Sequence, residues 1–259
     1  MSEWDLETVK CEIVNDHIAI VKLDNPPVNA HSAQMLSDIP LMLDRMSDID
    51  EVRAVILTGE GKVFCAGADL KGRGQGGPGA HWQNSRNARE CYHSIRECTK
   101  PVVGAINGAA LGGGMAIAAS CDILIASEKA KLGLPEIDVG LLGGQRHAQR
   151  LFSHSRLRTM ALTGQRIDGA ELYRTGVVEA CVAPDALMDA AMAMAKTLAA
   201  KSPVAMKMAK GSLNAIEEMS LRDGYRYEQN LTGELGKTED SREAMLAFIE
   251  KRDPVFKGS

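Results

Sequence analysis

"GAALGGGMAIAASCD", residues 108–122, sets three consecutive glycines, Gly112, Gly113 and Gly114, against an apolar run that reads as a helix. Such a triplet can cradle a phosphate, open backbone N–H groups to a reacting atom, or let two backbones pack closely. The flanking segments set the fold that carries it. "KPVVGAIN" (100–107) and "CDILIAS" (121–127) read as strands on either side of the helix "GGMAIAAS". The same order occurs upstream, where the strands "HIAIVKLD" (17–24) and "RAVILTG" (53–59) enclose a helical segment. There Met35, Ile39, Met42, Leu43 and Met46 recur close to helical spacing, with Ser32 available as N-cap. Repeated strand–helix–strand order predicts a layered α/β architecture.

The 259 residues, 45% hydrophobic and 25% charged, suffice for one large α/β domain, with or without a small appendage. A net charge of -4 offers no basic footprint for nucleic acid or an anionic membrane surface. The first residues carry charges where a secretory signal needs an apolar core, and Gly, Asn, Ser and Asp interrupt the apolar stretches near 101–126. A cytoplasmic protein without a membrane span is expected. The six cysteines are scattered without zinc-type spacing, which predicts reduced, mostly buried thiols and no metal site. Cys91 and His93, two apart on a helix, are expected to point in different directions. The glycine-rich stretch 71–83 reads as a mobile loop or lid. From about 185 onward, helix formers predict a helical C-terminal third whose methionines fill core or subunit contacts.

The glycines of "INGAALGGGMA" are in the wrong arrangement for a dinucleotide fingerprint, and no phosphate-binding P-loop occurs anywhere. A second small-residue turn, Ala66-Gly67-Ala68-Asp69 in "GKVFCAGADL" (61–70), directly follows the "RAVILTG" strand. Two such turns can each donate one N–H. A pair of N–H donors converging on one oxygen stabilises an enolate or a tetrahedral oxyanion, and loss of one such donor costs about 3 kcal/mol.

Together with these segments, "NPPVNA" (25–30), "LGLPEIDVGL" (132–141) and the closing "AFIEKRDPVFKGS" resemble the enoyl-CoA hydratase/isomerase (crotonase) family, in order and across nearly the whole chain. The resemblance implies a crotonase-like α/β spiral of ββα repeats. Residues 1–195 would be the core with the CoA site and oxyanion hole, and residues 196–259 a helical trimerisation region, in a homotrimer or dimer of trimers. It implies acyl-CoA thioester substrates, with coenzyme A entering as part of the substrate and no separate cofactor. By motif position, the oxyanion-hole N–H groups fall on Ala68 and Gly113. CoA-contacting positions fall on Val28, Ala30, Ala66, Asp69 and Leu70, while Phe248 and Lys251 match positions that reach a neighbouring subunit's CoA. Lys251 equally fits a solvated helix lysine.

Family hydratases carry two glutamates, and the second is Glu136 in the "PE" motif, but the first falls at Ala116. Water addition across C2=C3 normally shares its proton movements between the two carboxylates. With one, a proton shuttle is the simpler chemistry, and family isomerases resemble that arrangement. Dienoyl isomerases place an aspartate near Gly144, which is also absent here. His147 titrates in the useful range and is a candidate for the lost acid or base, a hydrogen-bonded structural histidine being the alternative. Arg146 reads as a ligand for a substrate carboxylate or as an ion-paired arginine. Asp122 is expected to anchor a turn, and Asp138, two residues beyond Glu136 in a segment read as extended, to point away from it. The leading expectation is an enolate-stabilising hydratase or double-bond isomerase. The alternatives are a catalytically weak CoA-thioester binder or another enolate reaction such as C–C bond cleavage.

Overall fold

The computed structural model describes residues 3–14, 17–69 and 77–259. Strands β1 (Val9–Val14) and β2 (Ile18–Leu23) form an antiparallel hairpin. Helix α1 (Ala33–Asp48) then crosses to β3 (Ala54–Gly59), and α2 (Ala80–Glu97) to β4 (Val102–Ile106), each new strand parallel to the last. After β5 (Ala109–Leu111) and α3 (Gly113–Ser120), β6 (Ile123–Ser127) pairs parallel to β4. Next come β7 (Lys131–Gly133), a 3₁₀ turn (Pro135–Val139), α4 (Gln145–Ala148), α5 (His154–Thr163), β8 (Arg166–Asp168), α6 (Gly169–Arg174) and β9 (Ala180–Val182). One sheet runs β1-β2-β3-β4-β6-β9 and a second, smaller one runs β5-β7-β8. Helices α7 (Leu187–Ala199), α8 (Pro203–Ile216), α9 (Leu221–Leu235) and α10 (Glu239–Glu250) close the chain.

Side-chain alternation on the central strands builds two cores, one on each face of the large sheet. Val55 and Leu57 of β3 point to the face covered by α1, where Met35, Ile39, Met42, Leu43 and Met46 are buried at the spacing read from the sequence. Ser32 caps that helix, its Oγ accepting the Met35 N–H at 3.2 Å. Ala54 and Ile56 point the other way, onto Leu187, Ala191, Ala195 and Ala199 of α7. Alanines at every fourth position let this helix lie close to the sheet. It runs to Ala199, past residue 195.

The strands expected at 17–24, 53–59, 100–107 and 121–127 all form, and five of the six cysteines are buried. Cys91 is buried and His93 exposed, so the two do not face one another. One expectation fails: Ala80–Gln83, placed in a glycine-rich loop, form the first turn of α2, because the glycine content ends at Gly79, whose φ of +90° precedes the helix. Residues 71–76 of that stretch, like Leu70, lie outside the described residues. Among the described residues, no helix is long and apolar enough to cross a membrane.

The last residues are clamped onto α10. Buried Asp240 accepts the Ser202 hydroxyl at 2.7 Å and the Lys257 N–H at 2.8 Å, and its own N–H donates to the Ser259 carbonyl at 2.9 Å. Arg53 donates to the Phe256 carbonyl from the sheet side. The C-terminal helices are thus tied back to the core, and α10 keeps Met245, Phe248 and Ile249 exposed.

Candidate active site

Residues 65–69 run between two other segments, and their hydrogen bonds alternate from side to side. Cys65 bonds to one side: its N–H donates to the Ala109 carbonyl and its carbonyl accepts from Leu111. On the other side, the Ala66 N–H donates to Val28, the Gly67 carbonyl accepts from His31, and Asp69 donates to the His31 carbonyl. His31 and Ala68 are therefore paired as a parallel bridge, as are Cys65 and Ala110. In a parallel bridge the residue flanked by its partner's two bonds turns its own N–H outward. The Ala68 N–H is directed away from His31, toward the segment that begins α3. There Gly113 is the first helical residue, and its N–H has no carbonyl in a preceding turn to bond. A Cβ on Gly67 would come 3.6 Å from the Gly113 nitrogen, so the turn that leads into Ala68 lies against the start of α3.

Each glycine of the triplet has its own reason. Gly112 has φ +54°, and a Cβ there would lie 2.3 Å from Glu136 Oε1. A Cβ on Gly113 would lie 1.9 Å from His31 Nε2 and 2.9 Å from the Tyr92 hydroxyl oxygen. On Gly114 it would meet the Cys65 carbonyl oxygen at 2.1 Å, so this glycine serves close packing of two backbones. Nothing here resembles a phosphate cradle: the first two glycines clear space for a carboxylate and an imidazole.

Glu136 lies in the 3₁₀ turn after Pro135, with its carboxylate also against Gly143, where a Cβ would approach Oε1 to 2.9 Å. Its Oε2 is buried without a hydrogen-bond partner among the described residues, and burial raises its pKa above the ordinary carboxylate value. A desolvated, unpaired carboxylate is a stronger base than one in water. Ala116, the position to which the resemblance assigns a hydratase's second glutamate, is fully buried in α3.

The other candidates separate. Arg146 pairs with Glu218 at 2.6 Å and is an ion-paired surface arginine. Asp122 accepts the Val102 N–H at 2.7 Å and pairs with Lys210 at 2.8 Å, so it ties the start of β6 to β4 and α8 rather than anchoring a local turn. Asp138 does point away from Glu136, packing where a Cβ on Gly164 would sit. The 3₁₀ turn is the cause, since it places residues two apart on different sides, whereas an extended strand would put them on one face. Gly144 has φ +67° and begins α4, with a Cβ position 3.1 Å from the Gly112 carbonyl oxygen. His147 packs edge-on against Tyr92 with ring centroids 4.9 Å apart. Burial, aided by nearby cations, lowers its pKa to about 4, so it does not titrate near neutrality as its residue type suggested.

His31 was not among the residues singled out in the sequence. It directly follows "NPPVNA", but nothing in its spacing links it to Gly113, far along the chain. Its ring is desolvated, which lowers its pKa to about 4, and both ring nitrogens lack hydrogen-bond partners among the described residues. An unpaired buried polar group costs about 1–3 kcal/mol. Because His31 and His147 bind protons more weakly folded than unfolded, the stability they confer is complete above pH 6.5 and lost progressively between 6.5 and about 4. Urea unfolding across that range should show a falling midpoint, and replacing both histidines by Gln should flatten the profile.

Of the expected CoA-contacting positions, Val28 and Ala66 are joined by the hydrogen bond described above. The Ala30 carbonyl accepts the Asn25 amide at 2.6 Å, and Asp69 is exposed beside Ala68. Asn29, at φ +51°, ties this segment to the Glu60 and Val63 carbonyls. Phe248 and Lys251 are exposed on and just after α10.

A family model described as enoyl-CoA hydratase/isomerase matches residues 14–259. The chain is 35% identical over 240 residues to a short-chain-enoyl-CoA hydratase of Clostridium acetobutylicum, covering 91% of this chain and 92% of that one. Among solved structures it resembles an enoyl-CoA hydratase from Bacillus anthracis, with TM-score 0.93, 31% identity, and coverage of 98% and 100% of the two chains. It also resembles DspI of Pseudomonas aeruginosa, with TM-score 0.92, 30% identity and 98% coverage of both.

Proposed function

The chain belongs to the enoyl-CoA hydratase/isomerase family and is an enzyme of that type, and from this premise we propose that Glu136 moves a proton at C2 of an acyl-CoA thioester whose enolate oxygen is held by the Ala68 and Gly113 N–H groups. The observation that carries the reading is the desolvated, unpaired Glu136 carboxylate against the same glycine triplet that supplies the Gly113 donor. In a 3-enoyl thioester, Glu136 takes the C2 proton as the electron pair moves onto the thioester oxygen. Return of that proton to C4 gives the 2-enoyl product. Preorganised donors at the oxygen stabilise the charge when it forms, and a base near its working pKa limits the cost of each transfer.

Hydration of a 2-enoyl thioester is the second reading, favoured by the names of the relatives. Coenzyme A would enter as part of the substrate along the Val28, Ala30, Ala66 and Asp69 segments. Exposed Met245, Phe248 and Ile249 on α10 support a homotrimer or dimer of trimers in which Phe248 and Lys251 reach a neighbour's CoA. A cytoplasmic location fits such a substrate. Incubation with but-2-enoyl- and but-3-enoyl-CoA separates the readings. A shifted alkene supports isomerisation, a 3-hydroxyacyl product supports hydration, and neither product in the presence of tight binding would leave a CoA-thioester binder.

A further inference from the structure

Among the described residues, three of the five buried side-chain polar atoms without hydrogen-bond partners belong to this site, Glu136 Oε2, His31 Nδ1 and His31 Nε2; the other two are Arg96 Nε and Ser212 Oγ. Glu136 Oε1 lies over Gly112 and His31 Nε2 over Gly113. Consecutive Cα atoms are about 3.8 Å apart, which keeps the two groups within about 11 Å of each other. A helical side chain leans over the turn before its own Cα, so a glutamate at position 116 would reach toward residues 112 and 113. Ala116 has only a methyl group there, and His31 Nε2 lies over Gly113, toward which such a glutamate would reach. A histidine kept for packing would be expected to pair its ring nitrogens within the protein. This one is neutral, and its ring nitrogens are buried and unpaired among the described residues.

We propose that His31 is a catalytic residue which, opposite Glu136, holds the reacting water through Nε2 and so makes this one-glutamate site a hydratase. The proposal rests on the reading of Glu136, Ala68 and Gly113 given above. Nε2 accepts a hydrogen bond from one hydrogen of the water and keeps no proton from it. The water oxygen bonds to C3 as the C2=C3 pair moves onto the thioester oxygen at Ala68 and Gly113. The other water proton passes to the Glu136 carboxylate and from there to C2, restoring the thioester carbonyl and giving the 3-hydroxyacyl product.

The test compares wild type, His31→Ala and His31→Gln on hydration of but-2-enoyl-CoA, alongside the enolate absorbance of bound acetoacetyl-CoA, which needs the oxyanion donors but no water. The expected result is a fall in kcat of about 100-fold in His31→Ala, with KM and the enolate band retained. His31→Gln, which keeps a polar group near the Nε2 position, should recover about ten-fold of that loss. Hydration within two-fold of wild type in His31→Ala overturns the proposal. So does joint loss of hydration, substrate affinity and the enolate band in both variants, which would mark a structural role. Wild-type protein that forms the enolate but does not hydrate overturns the role of His31 alone. Wild-type protein that neither forms the enolate nor turns over any enoyl-CoA overturns the oxyanion-hole reading beneath it.

Discussion

Glu136→Gln is expected to lower turnover of every enoyl-CoA substrate by about 10³-fold while making the protein more stable at neutral pH. The loss follows because Gln cannot accept and return the C2 proton, and no second carboxylate stands at Ala116 to share the work. The gain follows from the raised pKa. A carboxylate that binds its proton more tightly in the folded state contributes stability only below its unfolded pKa, and loses it as pH rises through the folded value. At pH 7, above the unfolded pKa, the desolvated Glu136 therefore opposes folding, and a neutral amide of the same shape relieves it. Activity bought with local instability is a common signature of a catalytic group. Parallel kinetics and thermal unfolding at pH 7 check both halves.

Alanine at Gly113 and at Gly114 should part activity from stability. In Gly113→Ala the new methyl would lie 1.9 Å from His31 Nε2, 2.6 Å from its Cδ2 and 2.9 Å from the Tyr92 hydroxyl oxygen. Side chains can move, so the fold is expected to survive, but the imidazole and the oxyanion donor would both shift. A displacement of about 1 Å at a reacting centre costs about 10²-fold, and kcat/KM should fall at least that far. In Gly114→Ala the methyl meets the Cys65 carbonyl oxygen at 2.1 Å and its carbonyl carbon at 2.8 Å, both backbone atoms of the segment that presents Ala68. Backbone cannot swing aside as a rotamer can, and a loss of about 3 kcal/mol in unfolding free energy is expected. Denaturant unfolding of both variants, read with steady-state kinetics, should give opposite rankings.

The layered fold was legible because its elements obey local rules. Methionine and isoleucine spacing with the Ser32 cap specified α1, and β-branched runs ending at turn residues specified β2, β3, β4 and β6. The short strands β5 and β7 carry no such signal: each is three residues long and exists because its neighbours hold it. The site divides the same way. Motif position singled out the two small-residue turns and Glu136 as candidates, whereas the pairing of His31 with Ala68 and the approach of Tyr92 to His147 arise only from tertiary packing. His147 shows the limit of residue type as a guide, since burial among arginines removes the titration that made it a candidate.

In the proposed mechanism a single carboxylate, Glu136, moves the proton at C2 of a thioester held by two backbone N–H groups. Its most direct test is the deuterium content at C2 of product formed in deuterated water, measured by mass spectrometry for wild type and Glu136→Gln at equal exposure to but-2-enoyl-CoA. Deuterium at C2 with wild type, and its near-complete absence with the variant, is the predicted result. Equal C2 labelling by the two proteins would contradict it.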